Sequence, residues 1–126
     1  MFLEVDVRLR LETLGFVECM ARANVTYVAF AIETASPRLQ KMIRKNLDLD
    51  RVQHVIGEMA DRRILTRGFF MLGLPTETLE EMRATIRFAH RSRLHMALFF
   101  SVNSTRSPSR TRMKLPGTLP PKVQKV

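Results

Sequence analysis

Val25-Thr26-Tyr27-Val28-Ala29-Phe30-Ala31-Ile32 decides how the chain is to be read. The stretch is rich in β-branched and aromatic residues and carries no charge, the composition of a strand covered on both faces, as in a parallel sheet. A parallel strand needs helical crossovers on either side, and the flanking sequence supplies them. Upstream, Leu11, Leu14, Val17 and Met20–Ala21 recur at helical spacing, with Gly15 as a weak point. Before them, Val5, Val7 and Leu9 alternate with Glu4, Asp6, Arg8 and Arg10, which reads as a strand over 2–10 with one polar face. Downstream, Ser36-Pro37 is an N-cap followed by proline at the first helical position. Leu39, Met42 and Ile43 form the apolar stripe of a short helix that Asn46 ends.

The pattern continues to residue 103. Asp48 caps a helix with apolar residues at Val52, Val55, Ile56, Met59 and Ala60. Ile64 to Leu72 is a third strand, broken by Gly73-Leu74-Pro75. Thr78-Leu79-Glu80-Glu81 is a capping box that opens a helix running to about Ser92, with Leu79, Met82, Ile86 and Ala89 expected inward. Leu94, Met96, Leu98, Phe100 and Val102 then alternate with His95, Ala97, Phe99 and Ser101 as a fourth strand. The order β-α-β-αα-β-α-β implies an α/β fold with parallel strands and right-handed crossovers. Either an open doubly wound sheet or part of a closed β/α barrel fits. A strand that starts at the first residues, with nothing before it to cover it, favours part of a larger unit.

The 126 residues suffice for one domain, and 45% hydrophobic with 26% charged residues is a globular composition. No apolar run approaches the roughly 20 residues of a membrane span, and the acidic start is not that of a signal peptide. The single cysteine, Cys19, permits neither an internal disulfide nor a Cys-clustered metal site made by this chain alone. A cytoplasmic location is the expectation. Cys19 stands on the first predicted helix and is expected to be a small, buried or half-buried residue. Charge divides the chain unequally. Of the net +9, six charges lie in residues 104–126, a segment without acids, leaving +3 for residues 1–103. Two segments follow from this: a folded part, 1–103, and a basic, Ser/Pro-rich tail, 104–126, expected to be disordered. Such a tail can bind RNA or another anionic partner, or simply be solvated.

Three stretches, in order and on matching elements, resemble one family. Ala31-Ile32-Glu33-Thr34-Ala35-Ser36 follows the buried strand, where the family reads like GIESGS. Met42-Ile43-Arg44-Lys45-Asn46 closes the next helix, where it reads like RKG. Arg67-Gly68-Phe69-Phe70-Met71-Leu72-Gly73-Leu74-Pro75-Thr76-Glu77-Thr78 occupies the place of RGFFILGLPGET. The resemblance is to the C-terminal half of the radical S-adenosylmethionine (radical SAM) barrel, closest to the group that often carries a cobalamin-binding domain upstream. It covers residues 2–103, which would be the third to sixth strands of a six-stranded partial barrel. The resemblance implies S-adenosylmethionine (SAM) and a 4Fe-4S cluster as cofactors, with cobalamin as a further possibility. It also implies radical-initiated transfer, methylation or rearrangement in the complete protein. The CxxxCxxC loop that holds the family's cluster, and the Gly-Gly-Glu-like element after it, are not in this sequence. The chain is therefore expected to be a fragment, inactive by itself.

By the resemblance, Glu33 meets the ribose or methionine part of SAM. Without it, Glu33 is an acid placed well by the dipole of the helix after Ser36. Arg44 and Lys45 are rivals for the group facing the SAM carboxylate; fork geometry favours arginine, and helix C-terminal charge alone explains either. Gly73, Leu74 and Pro75 would bring backbone to the adenine, or form an ordinary strand-to-helix turn. Thr76 stands where the family usually has glycine, so a positive φ there carries a cost. Asp6 and Arg8 can line a cavity or pair at its rim. His54 and His90 sit on solvated helix faces, and His95 lies off the main apolar face, open to a cavity role. After Asn103 the family reads like PYPGT, but here the composition changes within one residue. A shifted frame, a truncated coding sequence and a true basic tail all produce that break.

Overall fold

The computed structural model describes residues 2–5 and 15–102. Four parallel strands form one sheet in chain order: β1 (Phe2–Val5), β2 (Tyr27–Glu33), β3 (Leu65–Leu72) and β4 (Met96–Ser101). Between them run α1 (Phe16–Arg22), α2 (Pro37–Met42), α3 (Leu49–Asp61) and α4 (Leu79–Arg91). Neighbours in sequence are neighbours in the sheet, so the strand order never reverses. That is the progression of a barrel wall and not of a doubly wound sheet, whose order reverses at a switch point.

Register separates the two faces. Val28 pairs with Thr66 and Phe30 with Gly68, and Gly68 pairs in turn with Ala97. This row faces the helices, where Val28, Phe30, Ile32 and Phe70 pack with Val52, Ile56 and Met59 in the core. Each large side chain in such a core contributes about 2 kcal/mol by leaving water. Phe70 stacks on Phe99 at 5.2 Å between centroids and meets Phe88 of α4 edge-on at 6.3 Å. The opposite, concave face carries Tyr27, Ala31, Arg67 and Phe69, all half-buried. Strand β2 is thus fully covered on its helix side and only partly on the other, where the sequence suggested cover on both.

Local signals acted as expected at three caps. The side chains of Ser36, Asp48 and Thr78 accept the backbone N–H of Leu39, Arg51 and Glu81. The Thr78–Glu81 pair completes a reciprocal capping box. Several expectations need correcting. Helix α2 ends at Met42, not at Asn46, because Arg44 (φ 57°) and Asn46 (φ 49°) turn left-handed, and the N–H of Lys45 and of Asn46 folds back onto the Gln40 carbonyl. In α4, Leu79 and Ile86 are exposed while Thr85 and Ala89 are buried. The inward stripe is rotated by about one residue, ~100°, because the small Thr85 can approach β2's exit and bond to it. Cys19 is exposed, since the buried side of α1 is taken by Val17 and Met20. The first strand is described only to Val5. Asp6, Arg8, the rest of the 2–10 strand and the 104–126 tail lie outside the described residues. No helix among the described residues is long and apolar enough to cross a membrane.

Candidate functional site

The C-terminal edge of a parallel β/α sheet is where ligands bind, because loops there are free to vary while the strands hold them. Two strand exits build that edge here. At the first, a register shift between Ala31 and Glu33 ends the β2–β3 pairing, and Glu33 takes φ 70°. The buried Gln40 side chain of α2 secures the departing backbone. Its amide donates to the carbonyls of Ile32 (2.9 Å) and Thr34 (2.7 Å), and its oxygen accepts the N–H of Leu47 (3.3 Å). One side chain therefore links the strand exit, its own helix and the segment after that helix.

Lys45 is carried back over the sheet by that segment. Its side chain is only 6% exposed, its ammonium lies 3.0 Å from Glu33 Oε1, and it also donates to the carbonyl of Ala31. The Glu33 carboxylate keeps 23% exposure. A buried lysine and a partly open carboxylate thus stand together at the end of β2. Arg44, the rival, is exposed and forms no ion pair with a described residue. The left-handed turn at Arg44 is what separates the two cations.

The second exit is Gly73 to Thr78. Gly73 adopts φ 86°, and a Cβ there would lie 3.3 Å from the Val102 carbonyl oxygen, so glycine is required by conformation and by the close approach of the chain leaving β4. Glu77 reaches back, its Oε2 accepting the N–H of Gly73 (2.6 Å) and of Leu74 (3.0 Å). Its Oε1 is buried without a hydrogen-bond partner among the described residues. Leu74 is buried and Pro75 exposed. Thr76 does take a positive φ, 66°. Arg38 holds it there, donating from Nη1 to Thr76 Oγ1 (3.0 Å) and from Nη2 to the Thr76 carbonyl (2.8 Å). The same guanidinium grips Glu81 through Nε (2.9 Å) and Nη2 (2.7 Å). Arg38, followed by the Thr78 N–H and the Ser36 hydroxyl, holds the Glu81 carboxyl down at about 2, while the Glu81 hydrogen bond raises Arg38. Thr34 and Thr85 complete the join: Thr85 Oγ1 accepts the N–H of Ala35 (3.0 Å) and lies 3.4 Å from Thr34 Oγ1.

Sequence reasoning missed Gln40, Arg38 and Glu77. A glutamine one turn after the Ser36 cap, facing the apolar side of α2, was the available signal for the first. The other two are surface-like residues whose partners lie far along the chain. The histidines are elsewhere. His54 and His90 are exposed on α3 and α4, and His95 precedes β4 at the opposite edge, its Nδ1 accepting the N–H of Thr66 (3.1 Å).

The radical SAM superfamily model matches residues 3–89. The chain belongs to the radical SAM superfamily. It is 32% identical over 94 residues to the cytidylyl-2-hydroxyethylphosphonate methyltransferase of Streptomyces wedmorensis, a match covering 69% of this chain and 18% of that protein. An uncharacterised methyltransferase of Pyrococcus horikoshii is 35% identical over 82 residues, covering 65% of the chain and again 18% of the relative. The chain thus spans about one fifth of the curated relatives it matches. Coproporphyrinogen III oxidase from Escherichia coli, a radical SAM enzyme, superposes with a TM-score of 0.72 at 15% identity, over 79% of this chain and 23% of that one. The fold is therefore part of a radical SAM barrel.

The family implies SAM and a 4Fe-4S cluster, and the residues present fit the two differently. SAM carries a carboxylate, an ammonium group and ribose hydroxyls. The exit of β2 presents a lysine ammonium and a partly open carboxylate, which match them in kind, and the neighbouring turn holds the unpaired Glu77 Oε1. The cluster has no such match: this radical SAM chain has one cysteine, on the exposed side of α1.

Proposed function

We propose that the complete protein is a radical SAM methyltransferase and that this chain supplies part of its SAM-binding wall. The buried Lys45 paired with the half-open Glu33 carboxylate, at the ligand-binding edge of the sheet, carries this reading. Two relatives named as methyltransferases favour methyl transfer over rearrangement. Cobalamin as a second cofactor belongs to the same reading and rests on the motif resemblance.

In this role Lys45 donates to the SAM carboxylate while Glu33 accepts from the ribose hydroxyls or the amino group. Glu33 also directs the Lys45 side chain, 3.0 Å away. Arg44, the adjacent residue but turned to solvent, takes no part. Gly73, Leu74 and Pro75 give the adenine an apolar backbone surface, and Glu77 fixes the shape of that turn. When bound, SAM supplies the radical or the methyl group that the family's reactions use. The three cluster thiolates must come from outside these 126 residues, and no step is assigned to this chain alone.

Equilibrium dialysis of the full chain with labelled SAM tests the site. Saturable binding is expected, weakened about tenfold by Glu33→Gln and at least as much by Lys45→Met, as for loss of a charge-assisted contact. Arg44→Met should leave it unchanged. Binding that ignores Glu33 and Lys45 but depends on Arg44 would reverse the assignment.

A further inference from the structure

Arg67 stands two residues into β3 on the concave face, away from the Glu33–Lys45 pair. Its guanidinium carbon lies 5.2 Å from the centroid of the Tyr27 ring. Its Nε is buried, and among the described residues it has no hydrogen-bond partner and Arg67 forms no ion pair. Glu33 is the one acid on β2 to β4, and it stands four residues along from Ala29, the register partner of Arg67. That is about 13 Å at strand rise, too far to neutralise it. A half-buried cation with no counter-ion among the described side chains is costly, and an aromatic face offsets only part of that cost. The neighbouring strand carries small residues beside Arg67 and Phe69: Ala29, which is buried, and Ala31, which is half-buried. Phe69 and Phe100, 5.9 Å apart, form an apolar wall between Arg67 and the sheet's C-terminal edge.

We propose that Arg67, stacked on Tyr27 on the concave face, binds an oxyanion of the substrate: a phosphate, phosphonate or carboxylate. The two Nη groups at the end of the planar guanidinium can donate to two oxygens of such a group, and the Tyr27 ring beside it fixes its plane. The word substrate rests on the radical SAM reading; the anion site itself does not, and its measurement needs no SAM. Failure here and failure of the Glu33–Lys45 site are therefore separate results.

Tyr27 is the single tyrosine and the chain has no tryptophan, so tyrosine emission reports on this position alone. The full chain is titrated with inorganic phosphate, methylphosphonate and acetate at constant ionic strength. The expected result is a saturable change in emission with at least one of the three, with a midpoint in the millimolar range, on the order of a single anion contact. Arg67→Lys keeps the charge but loses the fork and should weaken binding about tenfold. Arg67→Met should leave only linear, collisional quenching, with circular dichroism checking that both variants fold. No saturable change with any anion, or an unchanged midpoint in both variants, would overturn the proposal. Glu4 stands in register with Ala29, one strand beyond, so Glu4→Gln is the control. Saturation that appears only in that variant would make Glu4 the counter-ion of Arg67 and overturn the proposal equally.

Discussion

The two strand exits that build the site are held by opposite means. At the end of β2 the backbone is secured from inside. Gln40 is 2% exposed and neutral, and three of its hydrogen-bonding positions are used on backbone groups. At the end of β3 the turn is secured from outside, by an exposed arginine that grips Thr76 and Glu81 together. Buried neutral bonds are strong because the groups they satisfy have no water to turn to. Exposed ion pairs are weak singly and respond to salt and pH. The exit of β2, which holds Glu33 and Lys45, is thus the rigid one, and the exit of β3 is the adjustable one.

The largest expected effect tests the inner lock. Gln40→Leu preserves volume but leaves the carbonyls of Ile32 and Thr34 and the N–H of Leu47 without their partner. A loss of about 3 kcal/mol in urea unfolding is expected, from one to three kcal/mol for each such group, partly recovered by relaxation. A loss below about 1 kcal/mol would mean that water replaces Gln40 and that the exit is not held from within.

Gly73→Ala probes the outer turn where geometry alone acts. The positive φ and the close Val102 oxygen together predict a loss of about 1–2 kcal/mol. The same unfolding measurement reads it, and a neutral result would show that the turn can move away from β4.

The smallest effect is a pH dependence confined to the outer exit. Glu81 is held at about 2 against an ordinary 4.5. A depressed carboxyl stabilises above its unfolded value, so the contribution is complete above about pH 4.5 and is lost as pH falls toward about 2. Hydrogen exchange at pH 5 and pH 3, corrected for intrinsic rates, should show protection falling at Glu77 and Glu81. The Leu47 amide should be unaffected. Equal loss at both exits would erase the distinction between them.

Much of this architecture was open to inspection in the chain itself. The buried β2 stretch, the Ser36-Pro37 and Asp48 caps and the Thr78–Glu81 box act within a few residues of their partners. Local sequence therefore determines them, and with them the alternation of strands and helices. The three motif stretches likewise indicated the family that the matching superfamily model establishes.

What the sequence could not settle depends on partners far along the chain. Leu79 and Ile86 have core spacing, yet the face of α4 that turns inward is chosen by Thr85, which bonds to Ala35, 50 residues earlier. Arg44 and Lys45 are adjacent and equally basic. A left-handed turn, stabilised by backbone bonds to Gln40, sends Lys45 to Glu33 and Arg44 to water. Thr76 can hold a conformation suited to glycine because Arg38 crosses from another helix to bind it. Periodicity and caps are local properties and can be read from order alone. The direction of a side chain in three dimensions is fixed by the element that packs against it, and only the assembled sheet and helices decide that.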